Sequence, residues 1–301
     1  MVEGPSALNS TVETSVNYFL GYFLPVVTGI TIPLVMTNLA VFLNTGILNS
    51  PSNLIYFNLV IMDLLNSVVG IMVSIDLAHI NRNNKLANPW HKEHLISSYI
   101  FDLAFDARIF LVLGLCIIKV LWTEMSALDV IKNLKMFSVA TVVVSYVASI
   151  LCFLIAFLFE KRDGTFKLFS SKFVEVMDVA ESVLIITILI MSCYTKVMIR
   201  LNKSRINQSK YKLALQHSFL ISLNFFFSYS YHIAHCTARF YFMKKWKNNL
   251  KCETVHGWKI LVCDELYLGV SFMCTHSLVN SLILLWQVRH SWLTVLFYLG
   301  R

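Results

Sequence analysis

Charge is scarce in this sequence. Asp, Glu, Lys and Arg make up 14% of its 301 residues, against about 25% in an ordinary soluble domain. With 57% hydrophobic residues, that scarcity argues against a soluble globular enzyme and excludes a disordered chain. The seven cysteines form no Cys-x-x-Cys pair and no zinc spacing, and six sit inside apolar runs, where a thiol behaves as a small hydrophobe. There is no internal repeat, linker or low-complexity segment. No run of alternating ten-residue segments is present, as a membrane barrel would require. No Lys or Arg precedes the first apolar run, so no cleavable signal peptide is expected. The net charge of +8 is not gathered into a nucleic-acid patch.

What the chain does have is long apolar runs, at 18–44, 54–78, 95–122, 136–159, 173–200, 213–243 and 260–286. Each can cross about 30 Å of hydrocarbon at about 1.5 Å per residue. A spanning segment must satisfy its own backbone, so these runs predict helices. The expected fold is an all-α membrane protein, a seven-transmembrane helix bundle over 18–286. Residues 1–17 are expected to be an extracellular N-terminus, with a glycosylation sequon at Asn9. Residues 287–301 are expected to be a short cytoplasmic tail or interfacial helix. Lys and Arg divide almost evenly between the two sides, so charge does not orient the bundle.

The segment Leu48-Asn49-Ser50-Pro51, through Asn58-Leu59 to Asp63-Leu64, resembles the second-helix signature of rhodopsin-like (class A) G-protein-coupled receptors. In spacing it is nearest to the odorant, chemosensory branch. Asn38 in run one, Tyr194 in run five and Asn280-Ser281-Leu282-Ile283-Leu284 in run seven fall where that family carries characteristic residues. The resemblance implies a plasma-membrane receptor, not an enzyme, that binds a small extracellular ligand and signals by a shift of the bundle. It also implies a polar ion or switch cluster of Asn38, Asp63, His276 and Asn280, with a sodium ion near Asp63 as the one cofactor in view. His276 would make that cluster pH-sensitive. The sequence departs from the family as well. Thr123-Glu124-Met125 stands where Asp-Arg-Tyr is expected, the outer cysteine of run three is missing, and spans five and six lack their prolines. The absent arginine leaves coupling to a heterotrimeric G protein open. The interior of run seven has no lysine for a retinal Schiff base, which argues against an opsin.

Ionisable residues inside a membrane are functional candidates by default. Asp102 and Asp106 share a helical face, and the resemblance places Asp106 where amine receptors hold their ligand. Asp178 stands between Glu175 and Glu181 at the start of run five, and Tyr231 and His232 lie in the outer half of run six. One reading gathers these residues around a cationic ligand. The other has the acids neutralising Arg108 and the loop lysines. On the inner side, Glu124, Tyr194, Arg200 and Lys203 are the expected contacts with an intracellular partner or with anionic lipid. Cys252 and Cys263 flank the last outer loop and can pair across it in an oxidising compartment. Two other classes remain: an intramembrane metal hydrolase using His232, His235, His276 and Asp63, and a receptor-like partner that does not signal alone. A transporter is disfavoured by the odd number of spans.

Overall fold

In the computed structural model, the described residues are 5–45, 51–83, 92–124, 127–161, 194–196, 199, 216, 219–228, 230 and 265–299. They form α1 (Pro5–Thr45), α2 (Pro51–Asn83), α3 (Lys92–Glu124), α4 (Ala127–Lys161) and α7 (Glu265–Leu299). Helical residues 194–196 and Phe219–Ser228 lie in the fifth and sixth apolar runs and are labelled α5 and α6. Each of the seven runs thus contributes helix, and no strand occurs among the described residues.

Two expected boundaries move. α1 begins at Pro5, inside the segment read as a free N-terminus, and α2 also opens on a proline, Pro51. A proline at the first helical position loses nothing, because its missing N–H would have had no partner there. At the other end α7 runs unbroken through 287–299, so the tail continues the seventh helix rather than forming a separate interfacial one. Position 281 is serine, and no proline or later glycine interrupts the backbone before Gly300.

The outside of the bundle is apolar and the inside is where the polar residues are. On α4, Val139, Val143, Val144, Val147, Ile150, Leu151 and Leu154 are exposed, while Ser138, Ser145 and Ser149 are buried. That inversion suits hydrocarbon surroundings and not water. The buried hydroxyls are satisfied within their own helices. Ser138, Ser145 and Ser149 donate to carbonyls one turn back at 2.7–2.8 Å, as do Thr28 and Thr31 of α1 at 2.7 Å. α1, α2, α4 and α7 are long and apolar enough to span a membrane. α3 carries Arg108 at its middle and Lys119 near its C-terminal end, yet both are buried against neighbouring helices.

Small residues set the helix spacing. A Cβ added at Gly114 of α3 would collide with Thr141 of α4. One added at Gly70 of α2 would lie 2.5 Å from the Thr28 methyl of α1 and 2.6 Å from Cys274 Sγ of α7. α2 is the hub, touching α1, α3, α4 and α7. The α2–α4 contact is closed by the Tyr146 hydroxyl, which donates to Asn58 Oδ1 at 2.9 Å. Tyr146→Phe should therefore lower stability by about 0.5–1 kcal/mol, read as a small drop in melting temperature. No change in melting would mean that apolar packing alone holds α4.

Candidate polar core of the bundle

At the centre, Asp63 of α2 and Arg108 of α3 form an ion pair, with Nη2 to Oδ1 at 2.5 Å and both side chains fully buried. The other carboxylate oxygen accepts from Asn280 Nδ2 of α7 at 2.6 Å. The Asn66 amide, turned with its oxygen towards Arg108, accepts from Nη1 and Nη2 at 2.9 Å. Nη1 also points at the Met273 sulfur, 3.8 Å away. Asn38 of α1 donates to the Ser281 carbonyl of α7 at 3.0 Å. One polar core therefore ties α1, α2, α3 and α7 together. Further hydrogen bonds satisfy most of what the ion pair leaves over, Arg108 Nε being without a partner among the described residues, and a pair at this depth depends on them.

The register of α3 against α2 explains the pairing. Lys119 Nζ donates to Ser52 Oγ at 3.1 Å, and its ammonium stands 6.0 Å from the Tyr56 ring centre. From Ser52 to Asp63 is eleven residues, and so is the step back from Lys119 to Arg108. Eleven residues are about three turns, or about 16 Å, so both cations share one face of α3 and meet α2 in step. Arg108 is thus turned inward to Asp63. This corrects the reading in which it neutralises the outer acids. Asp106 is only two positions away, about 200° around the helix.

A second cluster joins α3, α5 and α6. Tyr194 is buried, with its hydroxyl 3.0 Å from Ser222 Oγ and its ring edge-on to Phe219 at 5.3 Å. Cys116 Sγ lies 3.6 Å from the same serine. Tyr194 therefore points into the bundle and not towards an intracellular partner in this arrangement.

The other expected site residues divide as follows. Asn38, Asp63 and Asn280 meet in the core described above. His276 is buried beside it, but its ring stands edge-on to Phe225 of α6 at 5.9 Å, and its carbonyl accepts from Asn224 at 3.0 Å. Its Nδ1 has no hydrogen-bond partner among the described residues. Asp106 is half-buried on α3. Asn9, Asp102 and Glu124 belong to helices, with side chains outside the described part, and Glu124 is the last residue of α3. Asp178, Arg200, Lys203, Tyr231, His232, His235, Cys252 and Cys263 lie outside the described residues. Sequence reasoning missed Asn66 and the pairing of Arg108 with Asp63. Among the described residues no three of His, Cys, Asp and Glu gather as metal ligands.

The fold matches the crystal structure of squid rhodopsin, with a TM-score of 0.62 and 14% sequence identity, over 90% of this chain and 81% of that one. No protein-family model matches the sequence, and no curated protein matches it. At that identity the likeness defines the fold. The chain is an all-α, multi-pass membrane protein with the seven-helix architecture of rhodopsin.

Proposed function

We propose that the chain is a plasma-membrane signal receptor with its N-terminus outside. It binds a small cationic ligand near the outer end of α3 and passes the change through the polar core to an intracellular partner. The observation that carries this reading is the buried Asp63–Arg108–Asn280 core inside a rhodopsin-like fold. A bundle serving only as an anchor could hold α2, α3 and α7 by apolar packing, often without loss of stability. A buried polar knot between three helices, with Arg108 Nε and Asn280 Oδ1 left without a hydrogen-bond partner among the described residues, instead supplies discrete alternative pairings, the kind of element a ligand can bias. The odorant-like spacing around Pro51 and Asp63 supports a chemosensory role. A heterotrimeric G protein is the partner class the fold suggests. With glutamate at 124 in place of arginine, that contact would fall to the basic stretch at Arg200 and Lys203.

The test is a signalling screen in cells, with cyclic-AMP and calcium readouts, against amines, basic amino acids and odorants. Asp106→Asn is run beside the wild type, and surface staining confirms export of both. An amine response should weaken at least about tenfold in Asp106→Asn, since a charge-assisted hydrogen bond contributes about 1.5–3 kcal/mol. An undiminished response would remove Asp106 from the pocket. Silence of a well-exported wild type across the panel would favour a receptor-like partner that does not signal alone.

A further inference from the structure

The seven-helix family brings a sodium ion into view at Asp63, and the residues around this carboxylate do not fit one. A hard cation seeks several oxygens. Of the two oxygens of Asp63, one is held by the Arg108 guanidinium and the other by an N–H of Asn280. Asn38 likewise turns its N–H group, not its oxygen, to the Ser281 carbonyl. Beside the guanidinium lies the thioether of Met273, 3.8 Å from Nη1, and the thiol of Cys274 donates to the Asn66 carbonyl at 3.5 Å. Sulfur is a poor ligand for a hard cation but packs well against a weakly hydrated guanidinium.

We infer that Arg108 is a covalently tethered cation in the place a sodium ion would take, so that the core of this protein is neutral in every state and indifferent to sodium. A free ion can leave when helices move, and its occupancy follows the salt outside. A side chain cannot leave. Its charge remains within one arm's length of α3, and any rearrangement of α2 against α3 must either keep the pair or find the guanidinium another acceptor. Arginine suits this role better than lysine, because it does not lose its proton inside a protein. The inference goes beyond the receptor reading and holds whether or not the chain signals.

Removing the arginine should also create the site it excludes. Without it, one oxygen of Asp63 is left unpaired. Asn38 Oδ1 and Asn280 Oδ1 are both buried and have no hydrogen-bond partner among the described residues. These are the oxygens a sodium ion could share.

The experiment uses the full chain, purified in detergent or lipid nanodiscs and melted by intrinsic fluorescence. Sodium chloride is compared with potassium chloride and N-methylglucamine chloride at equal ionic strength. The wild type should melt at the same temperature in all three salts. Arg108→Met should melt higher in sodium, by about 4 °C at ten times the dissociation constant, with a saturating dose response. Adding Asp63→Asn to Arg108→Met should abolish that dependence. A saturable, sodium-specific shift in the wild type would overturn the inference. So would an Arg108→Met protein that folds yet ignores sodium. If Arg108→Met is not recovered, the wild type decides alone, by sodium-23 relaxation. Saturable exchange in the millimolar range overturns the inference, and a linear, non-saturating response supports it.

Discussion

Asp63→Ala is expected to remove most of the protein from the cell surface. The substitution leaves the Arg108 guanidinium fully buried without its counter-charge. Unlike a carboxylate, it cannot escape by changing protonation. Breaking one half of a buried pair costs about 3–5 kcal/mol, a large part of a typical folding free energy. The partner substitution should behave differently. When Arg108→Met is added to Asp63→Ala, both charges are gone and an unbranched apolar chain fills the gap beside Met273. Surface staining and melting temperature should then return most of the way to wild type. Non-additivity is the signature to look for: the double variant should be more stable than Asp63→Ala alone. If Asp63→Ala reached the surface normally and lost only its signalling, the pair would be a switch with little structural weight. If the double variant were as poor as the single, the loss would have to come from Asn280, stranded with no acceptor for its N–H.

The second large effect is expected at Gly70. A Cβ there already falls within 2.6 Å of atoms on both α1 and α7. Gly70→Val would therefore press α2 away from two neighbours at once. Overpacking of this kind costs about 1–3 kcal/mol, and here it also strains the register that brings Asp63 to Asn280. Gly29 supplies the control, because a Cβ at that position meets nothing within 4 Å. Gly29→Ala should melt at or slightly above the wild-type temperature, since alanine is the better helix former. A Gly70→Val protein as stable as Gly29→Ala would mean that α1 and α7 can move apart without penalty.

Much of this architecture was legible in the sequence because a membrane imposes one pattern on every span. Long apolar runs could only be helices, and polar residues inside them had to face one another. Asn38, Asp63 and Asn280 were picked out by the resemblance of their positions to a receptor pattern, and they lie where that rule would put them. The cation facing Asp63 was harder to read. Arg108 lies two residues from Asp106 and six from Asp102, and proximity along the chain drew it to those acids. Helical geometry decides otherwise, since residues two apart look in different directions. The legible clue was the matched interval: Lys119 to Arg108 on one helix, Ser52 to Asp63 on the next. Two cations on one face, three turns apart, need acceptors at the same spacing on an antiparallel neighbour. The extent of α7 was also missed. Hydropathy falls off after Trp286, but backbone hydrogen bonding does not depend on hydropathy. The helix runs on without a break to Leu299.

That continuity makes α7 a single rod. It is pinned in the membrane at Asn280 by Asp63 and, one residue on, by Asn38. From Asn280 to Leu299 the helix extends about 28 Å, with no proline to act as a joint. Each degree of tilt about that pivot therefore carries the far end by about 0.5 Å. A displacement too small to break one hydrogen bond at the centre of the bundle becomes, at the tip of the rod, a movement the size of a side chain.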